Sequence, residues 1–180
     1  MKEKKLSSKK VYDCFFMTVY EDEVLLENGK QTKRIYITHE GAAAVLPITK
    51  DGQLVLIKQY RYPIHQEIIE VPAGKKDDPD ESGQTCVKRE LEEETGYQST
   101  SLEYIGTTHN CVGYSNEAIE LFIARDCYPV ENPLKGDDDE QIEVMVVSPQ
   151  KAKMLLEKGT ITDAKTLVLL QHYFHKERIE

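Results

Sequence analysis

The chain reads as short apolar runs cut by polar turns, with the period changing from two toward three and a half in only a few places. From Val11 to Tyr20 the run VYDCFFMTVY is β-branched and aromatic, and VLLENGKQTKRIYIT follows with Asn28-Gly29 at its centre. That dipeptide between two strand-like runs predicts a hairpin. AAAVLPIT and QLVLIKQYRYP flank Lys50-Asp51-Gly52 and predict a second hairpin, built from well-buried strands. EIIEVPAG reads as one more short strand, ended by Pro72 and Gly74, and the polar KKDDPDESG as a loop. Thr85 to Glu94 is the first helix: Cys86, Val87 and Leu91 form an apolar stripe, and Gly96 suits its C-terminal cap. SLEYIGTTHN, AIELFIARDC and IEVMVVS predict three further strands, the last preceded by the acidic loop KGDDDEQ. Helices from Gln150 to Glu157 and from Asp163 to His175 close the chain, with Asp163 as the cap of the second. Met1 to Lys10 has only Leu6 to offer a core and reads as a flexible, solvated tail. The predicted class is α+β: mixed sheets, one central helix and helices at the end.

Composition narrows the function more than the fold. At 180 residues the chain suffices for one domain with its own core. The 23 basic against 32 acidic residues leave a net charge of -9, which argues against a non-specific nucleic-acid or membrane binder. A phosphorylated substrate stays open, because divalent cations reverse a local field. Cys14, Cys86, Cys111 and Cys127 form no CxxC pair, so free thiols in a reducing cytoplasm are expected rather than a zinc site or a disulfide framework. The basic N-terminus lacks the apolar stretch of a signal peptide, and no apolar run is long enough to span a bilayer. The five histidines show no ligand spacing, and no phosphate-binding Gly-Lys-Ser/Thr loop occurs.

The chemistry is concentrated between Gly74 and Tyr97. Glu90, Glu93 and Glu94 are spaced by three and four residues, which puts three carboxylates on one helix face. Near a helix C-terminus they repel one another and meet the negative end of the macrodipole. A hard divalent ion such as Mg²⁺ would remove that penalty. The plain alternative is a solvated acidic helix face. Arg89 before the cluster and Gly96-Tyr97 after it weigh against that, since such a combination arises by chance on the order of 10⁻⁶ per window.

These residues resemble the Nudix hydrolase superfamily, whose box runs G-x5-E-x7-R-E-U-x-E-E-x-G-U with U apolar. Glu81, seven intervening residues and RELEEETGY satisfy the second half, while six residues rather than five separate Gly74 from Glu81. The resemblance implies an α/β/α sandwich with a mixed sheet, preceded by an N-terminal antiparallel β extension. It implies Glu90 and Glu94 as metal ligands, Glu93 as a ligand directly or through water, and the Ala73 carbonyl as a further one. Glu93 and Glu94 thereby share in catalysis. Glu81 and Arg89 become a structural ion pair, and Gly74 and Gly96 structural positions of the box. The metal would be Mg²⁺, or Mn²⁺ in its place.

QYRYPIHQEIIEVPAG resembles the segment before the box in ADP-ribose pyrophosphatases and related sugar-nucleotide hydrolases. It implies Arg61 on the pyrophosphate and Glu70 as a second substrate-side residue. The acidic loop resembles the one that supplies a catalytic glutamate there; Glu140 is the match, with Asp139 and Glu143 as neighbouring substitutes. HNCVGYSNE keeps Gly113, Tyr114, Ser115 and Glu117 of a substrate turn but has Val112 where that subfamily carries proline. The resemblance further implies that residues 11–40 dimerise and hold the base, through Phe15 or Phe16 and Arg34, leaving 41–180 as the hydrolase domain. The implied reaction splits a nucleoside diphosphate sugar, ADP-ribose first, into a nucleoside monophosphate and a sugar phosphate. Hydrolysis of nucleoside triphosphates or dinucleoside polyphosphates is the alternative within enzymes. A non-catalytic nucleotide sensor is the alternative outside them.

Overall fold

Eleven strands, three α-helices and a 3-10 turn account for most of the computed structural model, which describes residues 2–14, 16–78, 80–136 and 140–177. The chain divides into two units. One holds the residues up to Gly41 together with His109–Ala118; the other holds Ala42–Thr108 and the chain from Ile119 onward.

The first unit is an antiparallel sheet of β1 (Lys4–Cys14), β2 (Met17–Leu25) and β3 (Gln31–Thr38), in that order. Asn28-Gly29 makes the β2–β3 turn, where the Leu26 amide donates to Lys30 and Gly29 to Leu26. Tyr20 lies opposite Tyr36, their rings stacked with centroids 5.7 Å apart. Buried Asp22 gathers Ser8 Oγ at 2.5 Å and Tyr36 OH at 3.1 Å. One expectation is corrected here: Lys4 to Lys10 is not a tail but the first half of a strand. The run 11–20 is divided between β1 and β2, with Cys14 paired to Met17. Nearly every residue of β1 is exposed, so its strand character rests on the ladder to β2 and leaves no hydrophobic period to read. The segment 109–118 joins this unit through the Ile37–Ser115 bridge and a 2.7 Å bond from the His39 amide to Asn116 Oδ1.

The second unit is the sandwich. Its strands are β4 (Ala42–Thr49), β5 (Leu54–Arg61), β6 (Gln66–Glu70), β7 (Ala73–Lys75), β8 (Tyr97–Gln98), β9 (Ser101–Thr108), β10 (Ile119–Pro129) and β11 (Ile142–Val147). The sheet runs β11-β5-β4-β10-β8, with β6 on β5, β7 on β4 and β9 on β10; β4 and β10 are parallel and every other pair antiparallel. EIIEVPAG is thus two strands, because Pro72 has no amide for a ladder and breaks the run. Alternation along β4 sorts the core. Ala42, Ala44, Leu46 and Ile48 face a cluster with α2 (Pro149–Glu157) and α3 (Ala164–Glu177), through Ala152, Leu169, Leu170, Tyr173 and Phe174. Ala43 and Val45 face α1 (Gly83–Thr95), through Cys86, Val87 and Leu91. One helix on one face and two on the other confirm the α+β class and the sandwich. Among the described residues no helix is long and apolar enough to cross a membrane.

Candidate active site

Local chemistry fixes α1 before any tertiary contact does. Ser82 caps it by accepting from the Thr85 amide at 3.1 Å. Gly96 ends it in the left-handed region at φ 72°, its amide donating to Glu92 at 2.8 Å. Cys86, Val87 and Leu91 then turn one stripe into the core. That rotation carries Glu90 and Glu94 to the edge of the core, only 9% and 8% exposed, with Glu93 half-buried beside them.

The strand opposite completes the setting. The Ala73 amide donates to Glu94 Oε2 at 2.8 Å. Gly74 is seated against Glu90: a Cβ there would fall 1.8 Å from Glu90 Oε1, so only glycine leaves the carboxylate its place. The extra residue ahead of Glu81 is taken up downstream of Gly74, where Glu81 Oε2 accepts from the Asp77 amide at 2.8 Å and the Glu81 amide donates to Asp78. Lys76, paired with Glu120 at 2.8 Å, pins the start of that loop to β10.

Arg89 is the counter-ion of the region. Its Nη1 donates to Glu90 Oε1 at 2.7 Å and to Glu93 Oε2 at 3.0 Å, and its Nη2 to the Lys75 carbonyl at 3.0 Å. Glu81 lies 3.7 Å away, and Nε sits 3.1 Å from Asp77 Oδ2, close enough for an ion pair but out of line for a hydrogen bond. Burial opposes the charge on Arg89, yet Glu90 and Glu93 outweigh it and raise its pKa.

The carboxylates are strained in the opposite sense. Burial pushes Glu90 up to about 7 against the pull of Arg89, with Glu93 and Glu140 adding to the rise. Burial likewise pushes Glu94 up to about 8, opposed by the Ala73 amide and Arg61 and reinforced by Glu90 and Glu140. Both folded-state values exceed the ordinary glutamate value of 4.5. Their contribution to stability is therefore complete below about pH 4.5, declines as pH rises and is lost once pH passes about 7 and about 8. Without divalent cations the protein is expected to melt at a lower temperature at pH 9 than at pH 6, and Mg²⁺ is expected to close that gap. Thermal melts at both pH values with and without the ion check this; a gap that Mg²⁺ leaves untouched would disprove it.

Among the described residues, no three carboxylate, imidazole or thiol groups already surround a common point as ligands would. Glu90 and Glu93 are turned onto Arg89, and Glu94 onto the Ala73 amide. The donor set nonetheless suits a hard cation: only oxygens, two of them on buried carboxylates that are costly to ionise without a positive partner. Releasing Glu90 and Glu93 from Arg89 is the rearrangement such binding requires.

The remaining candidates fall in two groups. Glu140 is exposed, and its charge reaches Glu90 and Glu94, whereas Glu143 is held by Lys58 at 2.6 Å; Asp139 lies outside the described residues. Arg61, at the end of β5, places Nε and Nη2 on Glu70 Oε2 at 2.9 and 2.5 Å. Its Nη1 makes no hydrogen bond to the described residues, and the side chain is 37% exposed. Glu70 is thus engaged with Arg61. Phe16, Arg34 and Gly113 belong to the first unit. Phe16 lines a cavity of about 230 Å³ with Cys14, Met17, Thr18, Thr38, His39 and Glu40. Arg34 is paired with Glu3 at 2.7 Å, Gly113 is exposed in a turn, and Phe15 lies outside the described residues. Sequence reasoning missed Lys165, which meets Glu70 from 95 positions away; no local pattern announces such a pair.

An α/β/α sandwich with a glycine-seated strand and an acidic loop–helix unit defines the class of protein. The NUDIX domain family model matches residues 38–170. The chain is 35% identical over 180 residues to the ADP-ribose pyrophosphatase of Bacillus subtilis (strain 168), covering 100% of this chain and 97% of that protein. It is 31% identical over 178 residues to the methanol dehydrogenase activator of Bacillus methanolicus, covering 99% and 96%. To the GDP-mannose pyrophosphatase of Cronobacter sakazakii (strain ATCC BAA-894) it is 33% identical over 150 residues, covering 79% and 78%. The crystal structure of an ADP compounds hydrolase shares the fold, with a TM-score of 0.80 at 24% identity over 98% of this chain and 96% of that one. The chain belongs to the Nudix family and is a divalent-metal-dependent pyrophosphohydrolase of it.

Proposed function

We propose that the protein hydrolyses the diphosphate of ADP-ribose, or of a closely related nucleoside diphosphate sugar, to a nucleoside monophosphate and a sugar phosphate. The observation that carries this reading is the crowding of buried Glu90 and Glu94 against Ala73-Gly74, with the open edge of Arg61 within electrostatic reach of Glu94. Full-length similarity to an ADP-ribose pyrophosphatase supports the substrate class, and similarity to a GDP-mannose pyrophosphatase keeps the sugar and base open to test.

Glu90, Glu93, Glu94 and the Ala73 carbonyl would hold the ions, and their all-oxygen donor set suits Mg²⁺, or Mn²⁺ in its place. Bound there, divalent ions neutralise charge on the diphosphate and acidify the attacking water. Arg61 turns its free Nη1 edge to a phosphate oxygen, a planar donor pair matched to that anion. Glu140 accepts the proton as the water oxygen bonds to phosphorus and the bridging oxygen leaves with its electron pair. The first unit serves assembly and base binding: exposed Leu6, Val11, Tyr12 and Ile35 on its strands suit a second copy of the chain, and Phe16 a base. The four free thiols support a cytoplasmic setting.

A product assay over ADP-ribose, GDP-mannose, UDP-glucose, a dinucleoside polyphosphate and a nucleoside triphosphate, each with Mg²⁺ or Mn²⁺, tests the reading. The expected result is fastest turnover of ADP-ribose to AMP and ribose 5-phosphate, abolished by chelation. Turnover confined to the triphosphate or the dinucleoside polyphosphate would reject it.

A further inference from the structure

We propose that Lys165 is a positioning residue for substrate binding, acting through Glu70 to keep one edge of Arg61 open to the diphosphate. The inference rests on the nucleoside-diphosphate reading of the site and deepens it. Four side chains alternate in charge from the start of α3 to the end of β5. Asp163 Oδ1 meets Lys165 Nζ at 3.0 Å, Lys165 meets Glu70 Oε1 at 3.2 Å, and Glu70 Oε2 takes both Nε and Nη2 of Arg61. The two inner members are buried, Glu70 3% and Lys165 7% exposed, whereas the Arg61 side chain is 37% exposed. The chain of charges therefore runs through buried Lys165 and Glu70 to the partly exposed Arg61, whose charge reaches Glu94.

The division of labour on Glu70 is the informative detail. A carboxylate with two free oxygens draws a guanidinium into a two-pronged pair that occupies both. Here Lys165 takes one oxygen, and Arg61 is left to share the other. Nη1 remains without a protein partner among the described residues. Removing the ammonium would leave a buried carboxylate oxygen unsatisfied, and Arg61, already on the other oxygen of Glu70, is a flexible donor able to fill it. The guanidinium would then turn inward, away from its ligand.

A purely architectural role for Lys165 is disfavoured by its neighbours. Docking of α3 on the sheet already has the Val71 amide donating to Thr166 Oγ at 2.8 Å, Asp163 Oδ2 accepting from the Thr166 amide and hydroxyl, and the buried Leu169, Leu170, Tyr173 and Phe174. A buried lysine adds desolvation cost to a contact that is secured without it. Its specific product is the partition of Glu70. The register agrees: Arg61 pairs with Gln66 and Ile57 with Glu70, so Arg61 and Glu70 project from one face of the β5–β6 ladder.

The test uses the full chain. Lys165→Gln is expected to raise KM for ADP-ribose about tenfold and weaken ADP binding by calorimetry to the same extent, with kcat changed less than about twofold. Lys165→Arg, which keeps a cation on Glu70, is expected to restore KM to within about threefold of wild type. In an Arg61→Ala background Lys165→Gln is expected to have no further effect on either quantity, because it acts through that arginine. If Lys165→Gln fails to fold, the charge-balanced Lys165→Met/Asp163→Asn variant, whose asparagine still caps α3, takes its place in the same measurements. Unchanged ADP affinity, or an effect that adds fully to that of Arg61→Ala, overturns the proposal. Failure of the functional reading looks different: the wild-type protein would turn over no sugar nucleotide, while the ADP-binding comparison would still report on Lys165.

Discussion

Glu94→Gln is expected to lower kcat for the sugar nucleotide about a thousandfold while raising, not lowering, the stability of the protein without divalent ions at pH 9. The two effects have one source. Glu94 is a desolvated carboxylate beside Glu90 and within reach of Glu140, and its pKa of about 8 records how much its charge costs when no cation balances it. Glutamine removes the charge and keeps an oxygen for the Ala73 amide, so the strand-to-helix contact survives. What disappears is the anion needed to hold metal against the diphosphate. The Mg²⁺-induced rise in melting temperature should shrink with kcat, and without divalent ions the gap between the two proteins should narrow as pH falls and close only near pH 4.5, below which Glu94 is protonated in the folded and the unfolded chain alike. Wild-type kcat in the variant, or a melting temperature at pH 9 well below that of the wild type, would remove Glu94 from the metal role.

How much of this was legible before the structure follows the range of the interaction. The acidic face of α1, its glycine cap, the Asn28-Gly29 and Lys50-Asp51-Gly52 turns and the Asp163 cap depend on residues within a few positions of one another, and all could be read directly. The apolar stripe of α1 shows in its spacing, but AAAVLPIT, buried on both faces, is a continuous apolar run whose sides only the fold tells apart, and the sandwich was implied by the resemblance of the box. β1 could not be read, since exposed residues from Lys4 to Asp13 carry no such imprint. The break at Val71-Pro72, which turns one expected strand into β6 and β7, is visible only once β7 is seen to pair with β4. The site shows the same division. Three carboxylates announce themselves by spacing, but the hold of Arg89 on Glu90 and Glu93, the seat that Gly74 makes for Glu90 and the reach of Lys165 to Glu70 are tertiary facts. Glu70 is the clearest case: sequence resemblance placed it on the substrate side, and the fold gives both of its oxygens to cations of the protein itself.

Arg89→Met is expected to destabilise the protein by about 2–3 kcal/mol without divalent ions, a loss of roughly 5–10 °C, and Mg²⁺ is expected to recover more in the variant than it adds to the wild type. Arg89 is more than three-quarters buried and serves Glu90, Glu93, Asp77, Glu81 and the Lys75 carbonyl together. Its loss exposes Glu90 and Glu93 to each other with no positive partner, and frees the loop from Lys75 to Glu81. Methionine fills the volume of the stem but not the charge. Protonation of Glu90 relieves part of the repulsion, so the deficit should be larger at pH 9 than at pH 6. The enhanced response to Mg²⁺ has a specific cause. In the wild type an incoming cation must displace Arg89 from Glu90 and Glu93, so part of its binding energy goes into replacing one positive partner by another. In the variant nothing is displaced, and the ion meets carboxylates that have no other counter-charge. Melting curves across a Mg²⁺ titration at pH 9 measure the difference. An increment in the variant equal to or below that of the wild type would mean that Arg89 and the metal do not share Glu90 and Glu93, and the acidic face would lose its reading as a cation site held in reserve by an internal arginine.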